Sequence, residues 1–439
     1  MIKPIKKILF ISYLLVIPLR LFPPFTILFN YFSFLAISNN FIFHILGLFI
    51  IFLEFIQGTH KLNSKAKNLL IIIFILNLTT LLNSIFINLK YGSFNGETSF
   101  QAVIGLILLY FQVGLIVYYN TTMIPIFTVS FFKKIFNFYY FILIFFGYLQ
   151  IILLFYPQIS VFYDSINFLN ILRSSDFILR INRISVTGSE PASVVLLASF
   201  LVIPSELSKF IESRNFLNIF KLILIMPILY FTSSSTVYIA FAVNSLLFLF
   251  IYIKKLNFSR KVFLAILFFL GTFVFIIFIP DDVMYFLVDK VFDTTNQSTL
   301  YRISTLINDF FVFLRYPIFG IGNGNQGFYF NNVNWPIYFF NSQEFTNAYN
   351  GSLGIINGGS FLPSFISGYG LFGSLLLIIF LSRTFNYFKS KHLNSYIFYL
   401  CLLSNLTFLF VSILSNDIVG NFAFLLPFSF LFINGKISL

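Results

Sequence analysis

Residues 133–157 read KKIFNFYYFILIFFGYLQIILLFYP, in which two lysines precede an uncharged apolar run and a proline closes it. The apolar run covers about 135–155, close to the roughly 20 residues that a helix needs to cross the hydrocarbon of a bilayer. Lysines at one end of such a run are typical of the cytoplasmic side. This stretch therefore predicts a transmembrane helix that enters the membrane just after Lys133 and Lys134.

The same arrangement recurs on both sides of this stretch. The apolar runs cover approximately residues 8–37, 41–57, 69–88, 101–119, 135–155, 191–208, 216–232, 236–253, 261–279, 361–382, 396–414 and 422–435. The first run contains Arg20 and Pro23-Pro24, so it is either one broken helix or a tight pair of helices. The basic clusters all fall on one side if there are twelve spans and both termini are cytoplasmic. The sequence thus predicts an all-α polytopic integral membrane protein with about 12 transmembrane helices.

Composition supports this prediction. The chain has 439 residues, of which 59% are hydrophobic and only 9% charged, and its mean hydropathy is +0.93. Soluble domains carry about 25% charged residues. The net charge of +13 is spread in small clusters between apolar runs and forms no basic face, which argues against a nucleic-acid partner. The basic N-terminus lacks a small-residue cleavage site, so we expect a retained first span.

The predicted spans divide the chain into three parts. Residues 1–279 carry the first nine spans and a periplasmic loop at about 156–190. Residues 280–360 form one large periplasmic loop, and residues 361–439 carry the last three spans. The large loop is enriched in Asn, Gly, Asp and Tyr, and we expect short helices on the membrane with irregular backbone between them.

Five arginines fall in these two outward loops, which runs against the usual charge bias. They are Arg173, Arg180 and Arg183 in the first loop and Arg302 and Arg315 in the second. A guanidinium offers a planar fork of donors that suits phosphate oxygens, so the cluster fits a lipid-linked diphosphate. Solvated loop charge is the alternative interpretation for any one of them.

Two polar stretches adjoin outward helix ends. Glu190 precedes Pro191 at the start of a predicted span, where a carboxylate either caps the helix or acts as a functional group such as a base. Ser233 to Thr236 lies at another outward boundary and either caps a helix or lines the same cavity.

Metal and nucleotide motifs are not apparent. His44, His60 and His392 lack partners at ligand spacing, and the single Cys401 excludes intrachain disulfides and cysteine-based metal sites. The string Gly320 to Gly324 lacks the Lys-Ser/Thr of a P-loop, so it is more consistent with a turn at the membrane surface.

The run from Arg183 to Pro191 resembles the Arg-x-x-Gly-x-x-x-Glu-Pro signature of O-antigen polymerases, with a slightly longer spacing between Arg183 and Gly188. The stretch from Thr232 to Thr236 resembles the Thr/Ser-rich start of the next outward span in that family.

Two later segments extend the resemblance. Arg302 followed by residues 316–324 is similar to the family's Arg … Pro-hydrophobic-hydrophobic-Gly-x-Gly stretch. Ser360 to Gly373 is similar to the segment that closes the large loop. The motifs match in order and spacing over about residues 60–435. The related O-antigen ligases usually carry a His-Asn pair near the position of Gly359, and its absence here favours a polymerase.

This resemblance implies a GT-C-like architecture and a glycosyltransferase of the bacterial inner membrane. The enzyme would polymerise undecaprenyl-diphosphate-linked oligosaccharide repeat units into O antigen or a similar surface polysaccharide at the periplasmic face. No cofactor or metal is expected, because the diphosphate leaving group supplies the energy. Membrane lipid and the lipid-linked substrates are the expected partners, with a chain-length regulator and a flippase as candidates.

The resemblance also suggests roles for the outward residues. Arg183 and Arg302 would hold the diphosphate, and Glu190 would act as a base or position the acceptor. Substrate-binding roles fall to Arg173, Arg180, Arg315, Trp335 and Tyr338. The two aromatic residues either stack on sugars or anchor the loop at the membrane interface. An O-antigen ligase, a flippase or other transporter, and a non-catalytic scaffold for glycan export are the alternatives.

Overall fold

The computed structural model describes residues 2–18, 41–56, 63–94, 97–167, 174–186, 194, 197–254, 297–350, 360–393, 395–413, 422–434 and 437. The predicted span at 261–279 and the proposed boundary near residue 280 lie outside these residues, as do Arg173 and Glu190.

The described chain is almost entirely helical. Its N-terminal helices are α1 Ile2–Val16, α2 Phe41–Ile56, α3 Ser64–Tyr91, α4 Ser99–Met123, α5 Val129–Phe155, α6 Ser160–Asn167, α7 Ser175–Ile181, α8 Ile203–Ser213, α9 Leu217–Thr232 and α10 Ser235–Lys254. The C-terminal helices are α11 Gln297–Arg315, α12 Gln343–Tyr349, α13 Phe361–His392, α14 Tyr396–Val411 and α15 Phe422–Phe430. Two antiparallel two-residue strands, β1 Ser93–Phe94 and β2 Glu97–Thr98, join α3 to α4.

Short polar residues set the helix starts. The Asn63 side chain accepts hydrogen bonds from two amides in the first turn of α3, and Thr98 forms a capping box with Gln101 at the start of α4. The side chains of Thr128 and Ser395 cap α5 and α14 in the same way. These caps satisfy amides that have no partner within the helix.

Five described helices are long and apolar enough to cross a membrane: Ser64–Lys90, Ser99–Ile126, Val129–Phe155, Thr236–Ile253 and Phe361–His392. Three shorter apolar helices cover Ile45–Ile56, Leu217–Thr232 and Tyr396–Val411. Large side chains such as Phe49, Phe74 and Phe141 are more than half exposed on the outer faces of these helices. Such a surface is stable only in lipid, so the described chain is an all-α membrane protein.

Ion pairs and a cation–ring contact link the neighbouring ends of α5, α8, α9 and α14. Lys133 at the start of α5 pairs with Glu212 at the end of α8, and its ammonium lies 5.0 Å from the ring centroid of Tyr396 at the start of α14. Lys221, early in α9, lies 3.5 Å from Glu206 of α8. We name this end of the bundle the lysine end.

The opposite termini of α5, α9 and α14 consequently lie together at the other end. The amide of Leu362 at the start of α13 donates to the carbonyl of Ser412 just after α14 (3.0 Å), so α13 begins at that end. Its last turns return to the lysine end, where the ring of Tyr387 lies 3.2 Å from the ammonium of Lys65. We name the end that carries Arg180, Arg183, Arg302 and Arg315 the arginine end.

The centre of the bundle holds a short π-helix, Ala198–Val202, that continues into α8. All five of its residues are fully buried. Ser404 Oγ of α14 donates to the carbonyl of Phe200 (2.7 Å), and Asn244 Nδ2 of α10 donates to that of Ser199 (3.1 Å). Helix–helix hydrogen bonds of this kind stabilise bundles in lipid, where apolar contact between helices gives little net driving force.

Between α10 and α13, the described residues combine helices with irregular backbone. The 3₁₀-helices Gln326–Asn332 and Ile337–Asn341 lie between α11 and α12. Phe330, Phe339 and Phe345 are fully buried against Leu300 of α11. This aromatic cluster gives the described residues between α11 and α13 a small core of their own.

Candidate functional site

Arg183 is bonded to the turn between α9 and α10. Its Nε donates to the carbonyl of Thr232 (2.9 Å) and its Nη2 to that of Ser233 (2.8 Å). The amide of the next residue, Ile184, donates to the carbonyl of Phe231 (3.1 Å). The guanidinium therefore anchors its own segment to this junction, where Ser233 adopts a left-handed conformation (φ 47°).

Gln150, which is fully buried near the end of α5, holds the segment that follows Arg183 through hydrogen bonds. Its Oε1 accepts hydrogen bonds from the amides of Ser185 (3.0 Å) and Val186 (2.8 Å). Its Nε2 donates to the carbonyl of Val186 (2.7 Å) and to the hydroxyl of Tyr163 (2.9 Å). Gln150 was missed in the sequence, although an amide in an uncharged apolar run is a visible signal.

These contacts bring together two stretches identified in the sequence, the run that begins at Arg183 and the Thr232–Thr236 stretch. Arg180 lies in the last turn of α7 and is exposed. The structure thus groups Arg180 and Arg183 near the α9–α10 junction.

The two later motifs also meet. The turn formed by residues 317–324 docks on the start of α13 through backbone hydrogen bonds. They run from Ile321 N to Ser367 O (3.2 Å), Gly322 N to Gly368 O (2.8 Å), Leu371 N to Pro317 O (2.8 Å) and Phe372 N to Ile318 O (2.9 Å). Amides of the glycine string are thus already bonded, which supports a structural turn over a phosphate-binding loop.

Two glycines make this close approach possible. Gly320 (φ 67°) and Gly370 (φ 59°) both have left-handed backbone conformations. A Cβ on Gly320 would lie 2.3 Å from the carbonyl oxygen of Gly368, and one on Gly370 would lie 2.5 Å from that of Ile318. Any side chain there would separate the turn from α13.

Arg302 and Arg315 are both carried by α11 and are exposed. Within the described residues, the guanidinium of Arg302 makes no hydrogen bond or ion pair. That of Arg315 lies 5.5 Å from the ring centroid of Tyr329. Within the described residues, α11 contacts mainly α12, α13 and the two 3₁₀-helices, whereas the guanidinium of Arg183 is bonded to the turn between α9 and α10.

Trp335 and Tyr338 differ in their surroundings. The indole of Trp335 donates to the carbonyl of Phe330 (2.8 Å) and packs against the aromatic cluster of the large loop. Tyr338 is 45% exposed and stacks on Phe339 with ring centroids 4.6 Å apart. Tyr338 therefore presents an aromatic surface to solvent, whereas Trp335 is partly used in packing.

An apolar cavity of about 140 Å³ lies inside the bundle between α3, α4, α13, α14 and α15. Leu76, Phe365 and Phe408 contribute to its apolar wall. At the rim, the hydroxyl of Tyr110 accepts a hydrogen bond from Asn323 Nδ2 (2.5 Å) of the docked turn. The cavity thus has an almost wholly apolar lining, and one of its lining residues, Tyr110, is bonded to the docked turn.

These features define what the arginine end can do chemically. An exposed guanidinium without a carboxylate partner attracts an anion and can bind phosphate oxygens through two donors. Among the described residues, no group of three or more His, Cys, Asp or Glu side chains is placed to hold a metal ion. The arrangement fits an anionic head group with an apolar tail.

Comparison with known proteins gives one match. No curated protein and no solved structure matches the chain. Residues 220–378, from α9 into α13, match the family model described as O-antigen ligase. This segment contains the Ser233–Thr236 stretch, α11 with Arg302, and the docked glycine turn. This part of the chain is therefore similar to the O-antigen ligase/polymerase family.

Proposed function

We propose that this protein is an oligosaccharide repeat unit polymerase. It joins repeat units carried on undecaprenyl diphosphate into O antigen or a similar surface polysaccharide, at the periplasmic face of the bacterial inner membrane. The proposal includes about twelve spans, cytoplasmic termini and a large periplasmic loop at 280–360. A chain-length regulator and a flippase are its proposed partners.

The proposed reaction is transfer of the growing glycan to a hydroxyl of the next lipid-linked unit. The hydroxyl oxygen attacks the anomeric carbon of the glycan, and the bond from that carbon to the diphosphate oxygen breaks. The electron pair leaves with undecaprenyl diphosphate, and the hydroxyl proton passes to a base. Glu190 is our candidate for that base or for a group that positions the acceptor.

Leaving-group stabilisation is the step for which Arg302 is best suited. Negative charge grows on the diphosphate as its bond to the sugar breaks, and a positioned guanidinium lowers the free energy of that state. Arg183, Arg173, Arg180 and Arg315 are proposed to add to this positive surface. Tyr338 and Trp335 are proposed to contact sugar rings.

The exposed guanidinium of Arg302, which has no hydrogen bond or ion pair with any described residue, is the observation that carries this proposal. A structural arginine is normally bonded to carbonyls or carboxylates, as Arg183 is. The apolar cavity, whose lining residue Tyr110 is bonded to the glycine turn, supports the same interpretation, because a polyprenyl chain needs an apolar site near the place where its diphosphate binds.

O-antigen ligase is the second candidate, because the matching family model carries that description. The chain has no histidine between residues 61 and 391. His392 is buried at the end of α13, with its ring 4.8 Å from that of Phe388 at the lysine end. We favour the polymerase because the histidine typical of the ligases has no counterpart in the large loop.

The test is a gel of surface glycan from cells that lack this gene, compared with cells that express it from a plasmid. A polymerase predicts loss of the long ladder, with one repeat unit still attached to its final carrier. Loss of every attached unit, with polymer accumulating on the lipid carrier, would establish a ligase. Repeat units retained on the cytoplasmic leaflet would identify a transporter.

A further inference from the structure

Asp309 is a buried carboxylate between α11 and α13. Its side chain is 2% exposed. Its Oδ2 accepts a hydrogen bond from Ser364 Oγ (2.9 Å) and its Oδ1 accepts one from Ser367 Oγ (3.0 Å). Both serines lie in the first two turns of α13, so the carboxylate joins the loop helix α11 to the start of a membrane span.

Gln326 extends this network to the glycine turn. Its Nε2 donates to the carbonyl of Ser364 (2.8 Å) and to Asn323 Oδ1 (3.0 Å), and its Oε1 accepts a bond from the amide of Gly324 (2.7 Å). Asn308, beside Asp309, donates to the carbonyl of Gln326 (3.0 Å). Asp309 is therefore the acidic member of a network that holds α11, the turn and α13 together.

No cation compensates the carboxylate within the described residues. The titratable or charged side chains on its own helix and on the elements packed against it are Tyr301, Arg302, Arg315, Tyr329, Tyr338, Glu344, Tyr349 and Tyr369, with Arg383, Tyr387, Lys389, Lys391 and His392 in the last three turns of α13. None of them forms a hydrogen bond or ion pair with Asp309. Burial raises the pKa of Asp309 to about 7, although the hydrogen bonds from Ser364 and Ser367 act in the opposite direction.

Arg302 and Asp309 are seven residues apart on α11, which places them on the same face, two turns and about 10 Å apart. Since Asp309 meets the first turns of α13, Arg302 lies beyond the start of that helix. Movement of α11 on α13 would displace Arg302 directly.

We propose that Asp309 is a positioning residue, which latches α11 to α13 through Ser364 and Ser367, sets the place of Arg302, and releases the helix when it ionises. The role assigned to Arg302 rests on the proposed function. The latch itself is a property of the fold.

The sign of the pH effect follows from the two states of the carboxyl. The docked carboxyl keeps its proton up to about pH 7, whereas an exposed one loses it near pH 3.8. The equilibrium constant for opening of α11 therefore increases about tenfold per pH unit between these values and becomes independent of pH above about 7. Asp309→Asn removes the titration while keeping one acceptor and one donor for the two serines.

The experiment is amide hydrogen exchange of α11 in the full-length protein in lipid nanodiscs, from pH 5.5 to 8.5, corrected for the intrinsic chemical rate. In the wild type, the opening equilibrium should rise about tenfold per unit up to about pH 7 and then level off. Asp309→Asn should give a flat profile, whereas the control Glu344→Gln on α12 should behave as wild type. A flat wild-type profile, or a rise retained in Asp309→Asn, would overturn the latch.

A second variant keeps the test informative if Asp309→Asn does not fold. The double variant Ser364→Ala/Ser367→Ala retains the carboxyl but removes both donors. The levelling point, which is the pH at which the opening equilibrium stops rising, should therefore move to higher pH. An unchanged levelling point would also overturn the latch.

Polymerisation in membrane vesicles tests the link to Arg302. The wild-type rate should fall as the pH rises toward 7, and Asp309→Asn should lose this inflection. If the hydrogen exchange of α11 depends on pH but the polymerisation rate does not, the positioning role is refuted. Wild-type vesicles without polymerisation would refute the proposed function, and the exchange profile would still decide the latch.

Discussion

The cations at the two ends of the bundle differ in their partners. At the lysine end, Lys209 and Lys221 contact the fully buried carboxylate of Glu206, with oxygen–nitrogen distances of 2.5 and 3.5 Å. At the arginine end, Arg180 and Arg302 are exposed, and within the described residues neither forms an ion pair. The lysine end thus contains a buried carboxylate that pairs with two of its cations, whereas Arg180 and Arg302 at the arginine end leave positive charge facing outward.

This difference separates folding from chemistry. A cation bonded to a buried carboxylate is part of the folded structure, and breaking the pair leaves an uncompensated charge. An exposed guanidinium without a partner contributes little to folding and can bind an anion. Substitutions at the lysine end should therefore act through stability, and those at Arg302 should act through activity.

Arg302→Ala gives the largest expected effect on polymer. Loss of leaving-group stabilisation should lower the polymerisation rate by about 10²–10³-fold. The Tm of the purified protein should not change, because the side chain has no partner in the described structure. Arg302→Lys is the matched control and should restore part of the rate, since it keeps the charge. A normal glycan ladder in Arg302→Ala would refute the diphosphate role.

Arg183→Ala should also remove the long ladder, but with a lower Tm. The variant loses two bonds from a charged donor to backbone carbonyls, each worth about 1.5–3 kcal/mol. Arg183→Lys should not rescue it, because an ammonium cannot reproduce the planar fork. Rescue by lysine, or an unchanged Tm, would mean that Arg183 acts only as a charge.

Gly370→Ala tests the docking of the glycine turn. A Cβ 2.5 Å from the carbonyl oxygen of Ile318 must move the turn away from α13. We expect about a tenfold or greater loss of polymerisation in vesicles that contain equal amounts of protein. Gly105→Ala in α4 is the control, because a Cβ there meets nothing within 4 Å. Equal activity of the two variants would contradict a role for the docked turn.

Glu206→Gln should have the smallest effect on the chemistry. It leaves the ammonium of Lys209 poorly compensated in a buried site, at a cost of about 3–5 kcal/mol of stability. Glu212→Gln breaks the ion pair with Lys133. Because both side chains of this pair are 34% exposed, the free energy of unfolding should change by less than about 1 kcal/mol. Protein amount should fall in the first variant only, and polymer per molecule should be unchanged in both. Loss of activity per molecule in Glu206→Gln would place chemistry at the lysine end.

Much of the helical layout could be predicted from the sequence, because a span must be apolar over most of its length. The run 135–155 corresponds to α5 Val129–Phe155, and 236–253 corresponds to α10 Ser235–Lys254. The residues at which the helices begin were less predictable. The caps at Thr128 and Asn63 begin α5 and α3 several residues before the apolar runs, so charged turns such as Lys133-Lys134 lie inside the helices.

The candidate site was only partly visible in the sequence. The motifs around Arg183, Arg302 and residues 316–324 could be identified by their order. Their pairwise docking depends on contacts between distant parts of the chain, which no local pattern contains. Asp309 carried no signal, because an acid in a polar loop is ordinary until α13 buries it.

The buried π-helix Ala198–Val202 has a consequence for biosynthesis. Its carbonyl at Phe200 is bonded to Ser404, a residue made some 200 positions later in the chain. While the C-terminal helices are still in the ribosome, this hydrogen bond between helices cannot form. The packing of this central segment is thus completed only after α14 has been made.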